Sequence, residues 1–422
     1  MFERLGSRVS RELCVFVSVW SIVLAVSLVV LSFVTARDRE TRFGTALLPD
    51  FTGLYVGALV LRDHGPERLY DFDLQEELRR REFPRSLEHE RLPYLYAPWF
   101  TYLLRPFAEL PYEEAAALWL AASLALMIAG IACLSAAFPE ILPSERLPLA
   151  LLLLSFEPFL FECWVNGQVA PFPFAWISAA LLLQSRGQPV AAGAMLALLT
   201  YKPMQPPLLF ALLLVGARWR TLAGVALGGA ALFVVSAATF GPSIVVDYPR
   251  SLLEYKRMIS SSAHLRFWKY TDLQSATELL GPSWSGAAQL LVVPVALVLL
   301  VCLLRLWRRS RDEWGTAAQH AWAATLVLMP VLNLYFAVYD VLVAVPGMVL
   351  AAAMLRRRTA SVTAASRSSA FVGILVMVYV AGWFTPAFEI IRVNLLTVSL
   401  LVLGSWILRM SPGDAPASAR TH

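Results

Sequence analysis

The chain has 422 residues, of which 58% are hydrophobic and 15% charged, and its mean hydropathy is +0.63. That is too apolar for a soluble protein and too evenly apolar for a soluble domain with one anchor, so the composition implies a polytopic membrane protein. The net charge of +5 comes mostly from arginines in short loops between apolar runs, which orient a membrane protein and leave no nucleic-acid footprint.

In chain order, the run from Leu13 to Ala36 is too long for a secretory signal, whose apolar part is about 7–15 residues, and long enough for a span, which needs about 20. It reads as an uncleaved first span with a cytoplasmic N-terminus. The polar segment 37–93 can only lie outside the bilayer as a first external loop. Within it, Phe51, Leu54, Tyr55, Ala58 and Leu59 form the stripe of an amphipathic helix, with Asp50 at its first turn. Asp there has two readings, a helix N-cap or a chemical carboxylate. Tyr94 to Phe107, carrying Arg105, is too short to cross and reads as a re-entrant or interfacial piece.

Further spans are expected at 112–137, 147–164, 169–184, 189–201, 204–217, 221–240, 286–304, 317–334, 337–355, 370–385 and 391–408, giving about twelve with the first. Pro203, Pro206 and Pro207 break the short ones around Lys202. Residues 241–285 form a second external loop, basic and aromatic through Arg250, Lys256, Arg257, Arg266 and Lys269, suited to lipid phosphates or a sugar, or to plain solvation. Residues 1–410 thus form one all-α integral membrane domain, and the Ser, Ala and Pro-rich tail 411–422 reads as disordered and cytoplasmic. Arg146, Arg186, Arg218, Arg220, Arg305, Arg308, Arg309, Arg356 and Arg357 fall on one set of short connections and Lys202 and Arg392 on the other, which places both termini inside.

Polar groups gather at the outer ends of the spans: Glu157, Glu162, Asn166, Gln168, Lys202, Asn333, Tyr339, Asp340, Glu389 and Arg392. Ionisable groups at membrane depth are costly and usually face a site, although each of these also has a structural reading as a snorkelling or helix-joining group. Cys14, Cys133, Cys163 and Cys302 lie singly, without metal-ligand spacing, and read as packing residues. No phosphate-cradling glycine loop, paired-His zinc motif or serine elbow is present, so no metal or cofactor is implied.

The order of these features resembles the GT-C superfamily of membrane glycosyltransferases, and most closely glycosyltransferase family 87, the polyprenyl-phosphate-mannose-dependent mannosyltransferases. The resemblance rests on Asp50-Phe51 with Tyr55 and Ala58, Leu69-Tyr70-Asp71, Tyr96-Ala97-Pro98 leading to Pro106 and Leu118-Trp119, Gly167-Gln168, Lys202-Pro203 and Gln274-Ser275. The family pattern usually reads Tyr-Pro-Pro where this chain has Tyr96-Ala97-Pro98, and its late histidine is missing from Asn333–Asp340. The resemblance implies a polytopic GT-C-like bundle that transfers a hexosyl, in that family mannosyl, group from a polyprenyl-phosphate donor to a glycan or glycolipid acceptor. Transfer would take place on the extracytoplasmic face of the cell membrane. Asp50 takes the role of the base, Lys202 and Arg105 that of the donor-phosphate site, and Tyr55, Tyr96, Asn166, Gln168, Gln274, Tyr339 and Asp340 that of the substrate-binding set.

Intramembrane charges and Pro-broken helices also suit a transporter or flippase for a lipid-linked saccharide, which would favour an internal repeat and charge near the midplane. A scaffold would leave the outer polar groups without a shared cavity. The topology has a direct check. Single cysteines introduced at 60–90 and 245–280 should react with an impermeant reagent in intact cells, and those at 305–315 and 356–367 should not.

Overall fold

A computed structural model describes residues 2–42, 44–84, 93–141, 143–260, 266–310, 312–357 and 362–410. The tail assigned above to disorder, 411–422, lies outside the described residues, as do 85–92 of the first loop and 261–265 of the second.

The described chain is helical. Helix α1 (Phe2–Thr35) leads into a loop with α2 (Phe51–His64), α3 (Phe72–Glu82) and α4 (Pro98–Ala108), followed by the long α5 (Tyr112–Ala137). Next come α6 (Pro143–Leu154), the short α7 (Glu157–Phe159) continued as a π-turn to Val165, α8 (Pro171–Ser185) and α9 (Pro189–Ala197), which tightens into a 3-10 turn at Leu198–Tyr201. The short α10 (Pro207–Val215) precedes α11 (Trp219–Phe240), the second loop's α12 (Ile244–Ser260) and α13 (Leu273–Leu279), and the long α14 (Pro282–Arg309). Last are α15 (Thr316–Leu332), a 3-10 segment Val338–Ala344 running into α16 (Val345–Arg356), α17 (Val362–Trp383), α18 (Phe388–Ile391) and α19 (Leu395–Leu408). Prolines open many of them, at a position where the missing N–H costs nothing and the fixed φ suits a first turn.

The apolar runs expected to span fall largely on helix, but several are broken or short, and the expected count of about twelve spans is not reproduced. Among the described residues, five helices are long and apolar enough to cross a membrane, and up to seven if the two bent pairs 143–165 and 368–391 each count as one span. The protein is therefore a multi-pass membrane protein, with several helices too short to cross unaided. Burial is graded across the bundle. All residues of α15 from Ala318 to Val331 are buried, whereas α1 and α14 expose apolar side chains such as Phe16, Trp20, Leu290 and Leu291. An apolar outer surface is what a bilayer requires, since lipid tails leave no reason to hide leucine.

One expectation needs correction. Helix α2 is not one-sided, because every residue from Phe51 to Val60 is buried. The positions off its stripe are Thr52, Gly53, Val56 and Gly57, small or apolar enough to be enclosed. A Cβ on Gly57 would fall 2.5 Å from Cγ of Tyr94, so that ring lies directly on the helix.

The two ends of the bundle differ in chemistry. At one end Arg356 donates to the Glu140 carbonyl (2.9 Å) and pairs with Glu145, Arg357 pairs with Glu140 (2.6 Å) and Gln319 (2.7 Å), and Arg218 donates to the Ser310 carbonyl (2.9 Å). The turns that carry Asp50, Asn166, Lys202, Asp272 and Asp340 lie at the other.

Helices α9 and α11 cross with their backbones in contact. A Cβ on Gly193 would lie 1.9 Å from the Thr221 carbonyl oxygen, and one on Gly224 would lie 1.9 Å from that of Val190. Small residues permit this approach, and the helices gain dispersion contacts from it. Gly193→Ala or Gly224→Ala should therefore destabilise the protein by about 1–3 kcal/mol through overpacking. Gly229→Ala, whose Cβ meets nothing within 4 Å, should be neutral or better, as read by thermal melts in detergent.

Candidate active site

Asp50 precedes α2 with helical backbone angles (φ −76°, ψ −23°), and its side chain does not cap the helix. The first N–H groups of α2 find carbonyls in the preceding turn instead: Phe51 donates to Leu48 (3.0 Å) and Thr52 to Pro49 (3.3 Å). That turn is possible because Leu48 takes a left-handed φ of +52°. Of the two readings of Asp50, the cap is thus not the one observed. The Asp50 N–H donates to the carbonyl of Asn166 (2.9 Å), which ties the first loop to the turn after the π-segment.

Aromatic packing holds this junction. Phe51 stacks on Trp119 with centroids 5.2 Å apart, and the Trp119 indole N–H donates to the Gly167 carbonyl (2.9 Å). Gly167 has φ +82°, and a Cβ there would fall 2.7 Å from Cβ of Phe51. The position therefore demands glycine on both backbone and steric grounds. Asn166 and Gln168 on either side are half-buried, and their side-chain amides bond to no described residue, so they remain available to a ligand.

The second part of the site is an ion pair. Lys202 leaves the 3-10 turn that ends α9, held in extended backbone before Pro203. Its Nζ donates to Oδ2 of Asp340 at 2.5 Å and lies 4.9 Å from the centre of the Tyr339 ring. The other oxygen of Asp340 accepts from Gln205 Nε2 (3.0 Å), and the Gln205 carbonyl accepts from Asn333 Nδ2 (3.0 Å). Asp340 is 2% exposed, whereas 22% of the Lys202 side chain remains open. An ammonium has three N–H groups, so the partly open cation can take an anion without releasing Asp340.

Tyr96 links the two parts. Its ring stacks on Tyr201 at 5.8 Å and 8°, and the Ala97 N–H donates to the Tyr201 carbonyl (2.9 Å). Burial, then the carboxylates of Asp340 and Asp50, hold the Tyr96 phenol well above its ordinary range. The Cys163 thiol lies within electrostatic reach of Asp340, Asp50 and Lys202. Asp50 and the Lys202–Asp340 pair thus lie near one another, around Tyr96, Cys163 and Tyr339.

Three residues named from the sequence stand elsewhere. Tyr55 is buried in the packing of α2 against α5, and its hydroxyl donates to the Leu110 carbonyl (3.0 Å). Arg105 is exposed in the last turn of α4, about 12 Å along the helix from the Ala97 end that meets Tyr201. Gln274 is exposed on the first turn of α13. Sequence reasoning missed Gln205, whose signal was a polar residue inside the proline-broken segment after Lys202. It also missed the Trp119–Gly167 bond, which no local pattern announces. Among the described residues no group of three or more His, Cys, Asp or Glu is arranged to hold a metal ion.

Removing one partner of a buried pair leaves the other uncompensated, at a cost of about 3–5 kcal/mol. Lys202→Met should destabilise by roughly that amount, and adding Asp340→Asn should restore most of it, as thermal melts of the three proteins would show.

The family model for glycosyltransferase family 87 matches residues 94–330, a stretch that contains Tyr96, Asn166, Gln168 and Lys202 but not Asp50 or Asp340. No curated protein and no solved structure matches the chain. With more than half of its length matched and a body of membrane-crossing helices, the protein belongs to glycosyltransferase family 87 and is a multi-pass membrane glycosyltransferase.

Proposed function

We propose that the protein transfers a hexosyl group, mannosyl by its family, from a polyprenyl-phosphate donor to a glycan or glycolipid acceptor on the extracytoplasmic face of the cell membrane. Asp50 is the general base. It takes the proton of the acceptor hydroxyl as the oxygen attacks the anomeric carbon, and the bond from that carbon to the phosphate oxygen breaks on the opposite face, inverting the centre. The polyprenyl phosphate leaves with its electron pair, and Lys202 stabilises the charge that develops there. Asn166, Gln168, Tyr96 and Tyr339 contact the sugars.

The observation that carries this reading is that Asp50 and the Lys202–Asp340 pair lie at one end of the helices, with both carboxylates within electrostatic reach of Tyr96 and Cys163. A lipid-linked sugar presents its phosphate at headgroup depth, where an ammonium at a span end can meet it. The arginine-bearing connections at the opposite end mark that end as cytoplasmic by charge bias, which puts this end outside. Nucleotide-sugars are not normally supplied there, and a flipped polyprenyl-phosphate sugar is.

The test is the purified chain in liposomes, offered either polyprenyl-phosphate-mannose or a nucleotide-mannose. Transfer should occur from the lipid donor. Asp50→Asn should lower it by about 10²–10⁴-fold while melting like the parent, because the amide cannot accept the proton and no cap is lost. Transfer from the nucleotide donor alone, or near-normal activity of Asp50→Asn, would overturn the mechanism.

A further inference from the structure

Asp272 opens α13 and is 1% exposed. Its Oδ1 accepts the Ser275 N–H (2.9 Å), which is the ordinary work of an N-cap. Its Oδ2 accepts the Ser275 hydroxyl (2.8 Å) and also reaches out of the helix to the N–H of Phe336 (3.1 Å). Among the described residues no cation lies within ion-pair distance of it. Burying a carboxylate that no cation pairs is a costly way to cap a seven-residue helix that Ser or Asn would cap as well. The second oxygen therefore needs its own explanation.

Phe336 supplies one. It follows Tyr335, whose φ of +52° reverses the chain between α15 and the 3-10 segment carrying Tyr339 and Asp340. The reversal lies against the second loop. The Thr271 N–H donates to the Phe336 carbonyl (2.7 Å), and Tyr270 bridges Ala337 in antiparallel fashion. The loop is itself fastened to α19, where Asn394 Nδ2 donates to the Tyr270 carbonyl (2.8 Å) and the Thr397 hydroxyl to that of Thr271 (2.8 Å).

We propose that Asp272 is a positioning residue for the donor site: by holding the Phe336 N–H it sets the turn from which Tyr339 and Asp340 meet Lys202, and so places the ammonium. The inference rests on the assignment of Lys202 to the leaving phosphate.

The test uses the full chain in liposomes with polyprenyl-phosphate-mannose as the varied substrate. Asp272→Ser keeps a capping oxygen but is too short to reach Phe336. It should lower kcat/KM for the donor by roughly 10-fold to 10²-fold, the scale of a small misplacement, and leave the acceptor KM unchanged. The effect should disappear in the Lys202→Met/Asp340→Asn background, where no ammonium remains to be placed. Asp71→Ser is the control, because Asp71 caps α3 through the Leu74 N–H (3.0 Å). It should leave the donor constants at their parental values. If Asp272→Ser does not reach the folded state, Asp272→Asn, which keeps the length but presents no second acceptor, carries the same comparison. Unchanged donor constants in Asp272→Ser, or an undiminished effect in the double-substituted background, would overturn the inference. Parental donor constants in the Lys202→Met/Asp340→Asn protein would instead remove the assignment of Lys202 itself.

Discussion

The pairing of Lys202 with Asp340 joins two places where the bundle gives up regular helix. Lys202 follows the 3-10 turn at the end of α9, and Asp340 sits in the 3-10 segment before α16. Irregular backbone at membrane depth survives only where protein or a water-filled cavity satisfies its polar groups. Here the satisfaction is mutual: Gln205 answers Asp340, Asn333 answers Gln205, and Ala97 answers Tyr201. A broken helix elsewhere would be a defect, and here the breaks bring Lys202, Gln205 and Asp340 together. Isolated charges could not persist at this depth, and a fully neutralised pair would have nothing left for a ligand. The partly open ammonium lies between those extremes.

A second group of contacts holds the Asp50 side. The stack of Phe51 on Trp119 and the indole bond to Gly167 bind the first loop to the turn after the bent span. The acidic and basic halves thus belong to different parts of the chain, and the stack of Tyr96 on Tyr201 with the Ala97 N–H bond to the Tyr201 carbonyl joins them. At the opposite end Arg356 and Arg357 pair with Glu145 and Glu140 and join the ends of α5, α6 and α16.

Much of this was legible in the sequence where the signal is one-dimensional. Apolar runs and prolines marked the helices, and α5 covers the expected 112–137 residue for residue. The gathering of Asp50, Asn166, Lys202 and Asp340 at one end was readable from the polar residues at the ends of the apolar runs, whereas the count of about twelve spans was not reproduced. Periodicity misjudged α2, because a stripe says which face is apolar and not whether the other is covered; Gly57 under Tyr94 is a tertiary fact. Tyr55 was named for its place in the family pattern and Arg105 as a cation for the donor phosphate, and folding turned one into the core and the other to the far end of α4. The partnership of Lys202 with Asp340, 138 residues apart, left no local trace.

The tether between Asp50 and Asn166 runs from main-chain N–H to main-chain carbonyl. It is blind to the side chain at position 166, and any residue but proline at 50 can make it. A replacement of Asn166 therefore removes an amide without shifting the carboxylate beside it. On the proposed reading of the site, losses measured there report on recognition of the sugar, so the two neighbours can be dissected separately although one holds the other in place.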